Sequence, residues 1–231
     1  MGLIIIFVVF MILSTAVSST LKRKFKRYSQ TPLQSGLSGA EVAQLMLTDS
    51  GIHDVKIICV AGQLTDHYNP QNKTVNLSEA VYHGRNAAAT AVAAHETGHA
   101  VQHATQYSML QLRSSLVPLQ NVSGKIMNFI FMAMLFGGFM LPHIIPMNLA
   151  GIIIVACYSI FTLFAFVTLP VEFDASKRAL AWIDEKGIVT SKEHSMAKDA
   201  LKWAAMTYVV AALSSLATLL YYIMIFFGNR D

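Results

Sequence analysis

His95, Glu96 and His99 stand in the order H-E-x-x-H, within His95-Glu96-Thr97-Gly98-His99. They lie in the alanine-rich stretch 78–106 (SEAVYHGRNAAATAVAAHETGHAVQHATQ), a composition that favours helix. Side chains four apart on a helix share a face one turn apart, so both imidazoles can reach a single tetrahedral metal ion. Glu96 is close enough to act on a water held by that metal. Zinc lowers the pKa of such a water toward about 7, and the glutamate takes its proton as it attacks a peptide carbonyl. The chemistry read from these residues is zinc-dependent peptide hydrolysis, with His95 and His99 as ligands and Glu96 as the catalytic base.

A catalytic zinc takes a third protein ligand and keeps one position open. His103 continues the same helical face, but it lies two turns, roughly 12 Å, from His95, too far to share one ion. It is therefore assigned to packing or to a place beside the ligands. The metzincin pattern wants a histidine at position 105, which is Thr105. Glu172, in Pro170-Val171-Glu172-Phe173-Asp174-Ala175-Ser176-Lys177-Arg178, is the better candidate, because a zinc with two histidines takes a carboxylate from a separate element. Asp174 lies two residues on, about 200° around a helix, and is expected to face away or to reach only a flanking group. Lys177 and Arg178 read as anchors facing phospholipid.

The elements that must position these residues belong to a membrane protein. Of the 231 residues 54% are apolar and 13% charged, and the mean hydropathy is +0.49. The net charge of +4 does not point to nucleic acid, since the basic residues form no soluble module with interleaved aromatics. Cys59 and Cys157 stand far apart and read as buried structural thiols. Four stretches without Asp, Glu, Lys or Arg are long enough to span a bilayer: Gly2 to Thr20, about Ile126 to Met147, about Leu149 to Leu169, and about Ala204 to Phe227. Pro142 and Pro146 mark a tight turn between the second and third, with His143 as a loop histidine. Positive charge follows the first stretch (Lys22, Arg23, Lys24, Lys26, Arg27) rather than preceding it, which favours a retained anchor over a cleaved signal. The positive-inside rule then places residues 21–125 and 170–203 in the cytoplasm, and of 17 Lys and Arg only Arg230 falls outside.

Between the spans, 28–39 is a polar linker. Ser38-Gly39-Ala40-Glu41 has the capping-box form and opens a short amphipathic helix closed by Gly51. Asp54 to Val60 reads as a strand, and Leu64 to Tyr68 with Lys73 to Leu77 as a pair joined by a turn at Asn69-Pro70-Gln71-Asn72. This small sheet is either a hairpin covering the helix beneath it or an exposed edge that pairs with an extended peptide. Asp66 and His67 read as structural. The organisation is a mainly α membrane protein with four transmembrane helices, a zincin-like active-site helix and a small sheet on the cytoplasmic side. Its parts are 1–27 (anchor and basic flank), 28–125 (zincin-like region), 126–169 (transmembrane hairpin), 170–203 (cytoplasmic segment with the third ligand) and 204–231 (last span and tail).

Through DHYNPQNKTVNLS, AAHETGHAVQH, LPVEFDASKRAL and AAMTYVVAALSS the chain resembles the YugP-like family of bacterial membrane zinc metallopeptidases over most of its length. It is more distantly similar to HtpX-type membrane proteases, whose second motif places a glutamate ligand ahead of an Ala-Asp pair. Glu172 and Ala175 match that pattern, whereas Ser176 stands where the aspartate would be. The resemblance implies Zn2+, peptidase activity and Glu172 as third ligand, and leaves open whether Asp174 orients a ligating histidine. The expected partners are the lipid bilayer and a peptide or membrane-protein substrate, with no nucleic acid; an oligomer or a membrane-protein partner stays open. The expected location is the bacterial plasma membrane, multi-pass, with the active site on the cytoplasmic side. An intramembrane site-2-type protease is the alternative within the same chemistry, but those enzymes use an Asp-Gly aspartate and this chain has no Asp-Gly. A non-catalytic adaptor has no physical need of Glu96. Tyr82, His83, His103, Arg178 and His194 are all candidates for stabilising the oxyanion.

The topology has a direct test. In a chain lacking Cys59 and Cys157, cysteines introduced at Ser35 and Thr190 are expected to react with an impermeant reagent from the same membrane face. Labelling from opposite faces would contradict the four-span arrangement.

Overall fold

The computed structural model describes residues 1–137 and 146–228. They form α1 (Gly2–Tyr28), α2 (Gly39–Asp49), β1 (Lys56–Val60), β2 (His67–Asn69), β3 (Thr74–Ser78), α3 (Glu79–Tyr82), α4 (Ala87–Ala104), α5 (Ser108–Gly137), α6 (Met147–Glu185) and α7 (Ser191–Phe227). The chain divides into two compact units. One comprises Met1–Thr15, Leu112–Leu169 and Tyr208–Asp231, the other Ala16–Gln111 and Pro170–Thr207.

The second unit carries the motif residues. The amide of Glu41 donates to the Ser38 hydroxyl at 3.3 Å, and the amide of Ser38 donates to the Glu41 carboxylate at 2.7 Å, so α2 opens with the expected capping box. Past its C-cap, Gly51 adopts a φ of +68°, left-handed backbone that glycine takes without a Cβ penalty. The sheet has the order β1-β3-β2, with β1 parallel and β2 antiparallel to β3. The β2–β3 turn is an Asx turn, in which the Asn69 side-chain oxygen accepts from the amides of Gln71 and Asn72. Central strand β3 is buried along its whole length. Asp66 accepts from both the amide and the hydroxyl of Ser78, the structural role expected of it.

Helix α4 starts at Asn86, whose side chain accepts from the Ala89 amide at 2.9 Å. Small residues face two cores from this helix. Ala91 and Ala94 meet Val42, Met46, Ala179, Ile183, Ala197 and Leu201, while Ala89, Ala93 and Ala100 meet Leu47, Val75, Leu77 and Val81. Only side chains as small as alanine let one helix be approached by α2, the sheet, α6 and α7 together.

Pro170 lies inside α6, so the apolar run and Glu172 share one helix, the continuation on which the spacing of Glu172 and Asp174 rests. One boundary differs from the sequence reading. Helix α7 begins at Ser191, well before the apolar stretch expected from Ala204, because Thr190 and Glu193 form a second capping box. Residues 170–203 are thus the end of α6, a short turn and the start of α7.

The first unit is apolar. Three helices among the described residues are long and apolar enough to cross a membrane: Gly2–Tyr28, Asn148–Glu185 and Ser191–Phe227. The expected second span begins in α5, which is described to Gly137; the rest of it, the turn at Pro142 and His143 lie outside the described residues. Apolar side chains such as Phe7, Phe129, Met134 and Met224 are about 60% exposed or more, a surface suited to lipid rather than water. Within this unit Tyr158 meets Tyr222 at 4.9 Å between ring centroids, and Tyr222 stacks on Phe226.

Glu193 is buried; one carboxylate oxygen caps α7 and the other accepts from the Gln34 amide at 2.7 Å. Glu193→Ala removes the cap and strands that amide, at an expected cost of about 1–3 kcal/mol. A lowered apparent melting temperature in detergent is the readout, and an unchanged one would contradict this role.

Candidate metal centre

Helices α4 and α6 meet along two stripes with the same spacing. His95, Gly98, His99 and Gln102 face Glu172, Ala175, Ser176 and Ala179, each set at i, i+3, i+4, i+7. Gly98 allows the approach, since a Cβ there would lie 2.7 Å from the Ala175 carbonyl oxygen. The helices are therefore close enough for short polar side chains to meet between them.

One oxygen of Glu172, Oε2, lies 3.3 Å from His95 Nε2 and 3.7 Å from His99 Nε2. The three residues offer donor atoms within 4.8 Å of one another, and all three side chains are nearly sealed from solvent. Donors about 2.0–2.1 Å from a tetrahedral zinc are themselves separated by roughly 3.3 Å, so this donor set fits such an ion in kind, and Glu172 Oε2 stands near that spacing from both imidazoles. Burial works against a charged His99 imidazole, yet Glu172 beside it, with the charge of Glu96 and the Gln102 contact, more than offsets this, and its pKa lies above the ordinary histidine value.

The outer ring nitrogens are also engaged. His95 Nδ1 is 3.1 Å from the Ser176 hydroxyl, and His99 Nδ1 is 3.0 Å from Gln102 Oε1. The hydrogen bonds of Asp174 go to other residues than the two histidines. Asp174 accepts from Gln102 Nε2 at 2.8 Å and from Arg178 Nε, while the Arg178 guanidinium stands over the Tyr107 ring. Glu96 points toward the sheet, where its Oε2 accepts from the Tyr68 amide at 3.1 Å. The Tyr68 hydroxyl meets His103 Nδ1 at 2.7 Å. Burial, with the charge of Asp54 adding to it, pushes the Tyr68 pKa up to about 12, so the phenol keeps its proton at neutral pH.

His95, His99 and Glu172 are thus brought together, and Glu96 lies on the same helix with one oxygen tethered. His103 pairs with Tyr68 outside the cluster, consistent with a packing role. Of the other polar residues singled out from the sequence, Tyr82 and His83 pack edge to face on each other, His194 lines a groove between α6 and α7, and Arg178 is held by Asp174. Sequence reasoning passed over Gln102 and the Tyr68 amide. Gln102 had a signal, because it completes the helical stripe begun by His95, Gly98 and His99.

Residues 3–227 match the family described as "Putative neutral zinc metallopeptidase", and the chain belongs to it. It is 41% identical over 211 residues to a Bacillus subtilis (strain 168) protein named "Putative membrane protease YugP", covering 91% of this chain and 90% of that one. No solved structure matches the chain.

The helix crossing yields a prediction of its own. Gly98→Ala must push α6 from α4, at an expected cost of about 1–3 kcal/mol of stability. Zinc content and melting temperature of the purified variant should both fall; if both match the parent, the close approach is not required.

Proposed function

We propose that this protein is a membrane zinc endopeptidase that hydrolyses peptides or membrane-protein segments at the cytoplasmic boundary of the bacterial plasma membrane. The observation that carries this reading is the convergence of His95 Nε2, His99 Nε2 and the buried Glu172 carboxylate on one point, next to Glu96. These three residues are the proposed ligands of Zn2+, and Glu96 the proposed base. The membrane relative from Bacillus subtilis and the three long apolar helices support the location. A fourth span through α5 and the cytoplasmic placement of 21–125 and 170–203 follow from the distribution of basic residues.

Zinc bound between these residues would polarise a scissile carbonyl and make a water molecule acidic enough to lose a proton near neutral pH. The chain's own residues do the rest. Glu96 has one oxygen fixed by the Tyr68 amide, which leaves Oε1 to take the proton of the attacking water and to pass it to the departing amine nitrogen. The ring contacts at Nδ1 hold both imidazoles in place, and burial of His95, His99 and Glu172 keeps bulk water from the ligand atoms.

Two variants test the assignment. Glu96→Gln preserves shape but cannot accept the proton, so it should keep zinc and lose about 10²-fold or more of peptide hydrolysis. Glu172→Ala should lose most of its zinc. Retained hydrolysis in the first, or full zinc occupancy in the second, overturns the corresponding role.

A further inference from the structure

We propose that Gln102 is a positioning residue that fixes the tautomer of His99, and that Asp174 acts on the metal centre through it. The inference rests on the zinc reading above and deepens it. Gln102 is fully buried, three residues after His99 on α4. Its amide makes three contacts: Oε1 to His99 Nδ1 at 3.0 Å, and Nε2 donating to the Val171 carbonyl and to Asp174 Oδ2, each at 2.8 Å.

The two acceptors decide which way the amide points. A carbonyl and a carboxylate have no proton to give, so both must face the NH2 end. Flipping the amide would set Oε1 against two buried acceptors and leave them unsatisfied. Asp174 is itself held by Arg178 one helical turn away, whose guanidinium lies over Tyr107. The oxygen of Gln102 therefore faces His99 Nδ1 as an acceptor only. A neutral imidazole in that setting carries its proton on Nδ1, and its lone pair lies on Nε2, the atom that faces Glu172.

His95 lacks such a device. The Ser176 hydroxyl at its Nδ1 can donate or accept, so it restrains the ring without choosing a tautomer. The directional information at this centre enters through His99. Because Gln102 also bonds the carbonyl of Val171, the neighbour of Glu172, the same amide ties one proposed ligand to the backbone that carries another.

Asp174→Asn is the deciding variant. Asparagine has nearly the shape of aspartate but can offer either an acceptor or a donor, so of the two acceptors that orient the Gln102 amide only the Val171 carbonyl stays fixed. Full-length protein in detergent would be measured for zinc affinity by competition with a chromophoric chelator. In metal-free protein carrying 15N-histidine, at a pH high enough for a neutral imidazole, the His99 tautomer would be read by nitrogen NMR, because zinc on Nε2 would itself force the proton onto Nδ1. Wild type should bind zinc and, when metal-free, carry the His99 proton on Nδ1. Asp174→Asn and Gln102→Leu should each weaken zinc binding about 10–100-fold, and Asp174→Asn should show His99 in a mixture of forms. If Asp174→Asn keeps both the wild-type affinity and the Nδ1–H form, or loses affinity with the Nδ1–H form intact, the positioning role is overturned. A wild-type protein that binds no zinc would instead sink the reading on which this one rests. Asp174→Asn keeps the test decisive if Gln102→Leu fails to fold.

Discussion

The contact between the backbones of α4 and α6 at Gly98 and Ala175 sets the terms for everything around it. With no Cβ at Gly98 the helices close to a distance at which histidine and glutamate side chains meet directly, without long flexible linkers. Small residues occupy the centre of the crossing and polar ones flank it, so the site lies where the helices are nearest. Burying the Glu172 carboxylate would be costly in isolation, and two imidazoles within 4 Å offset that cost. The rest of the second unit, from the alanines of α4 to the caps of α2 and α7, holds the two stripes in register.

Much of this was open to reading from the sequence, and the division follows the range of the interactions. His95, Glu96 and His99 form a local pattern on a helix, so their shared face could be derived from spacing alone. The capping box at Ser38 and the β2–β3 turn are equally local. Glu172 sits far along the chain from His99, and its place needed the motif around it as well as the spans on either side. Pairing of β1 with β3 in parallel is non-local and left no mark in either strand. Glu193 did leave one, in Thr190-Ser191-Lys192-Glu193, but the apolar stretch further on drew the helix start away from it. Gln102 left a weaker mark, because metal-ligand spacing along α4 points to histidines, at 103 and 105, whereas the next position that faces α6 is 102.

Two carboxylates near the centre have different surroundings, which support the different tasks proposed for them. Glu172 is 3% exposed and looks at two imidazoles, a setting that suits the proposed ligand. Glu96 is held at one oxygen by a strand amide, a setting that suits the proposed base. Tyr68 links this region to the sheet twice, by its amide on Glu96 and by its hydroxyl on His103, so edge strand β2 is strapped to the helix that carries the motif.

The alanines of α4 carry a thermodynamic consequence beyond their size. Ala87, Ala88, Ala89, Ala91, Ala93, Ala94 and Ala100 are all buried, and an alanine side chain has no rotamers to give up when it is buried. Most of the inward surface of α4 is therefore ordered without loss of side-chain freedom. The freedom that folding must remove from this helix is concentrated in a few polar side chains, His95, His99 and Gln102 among them, and each of these is held by a hydrogen bond to a neighbour. A helix built this way spends much of its ordering entropy on the residues that line the candidate metal centre.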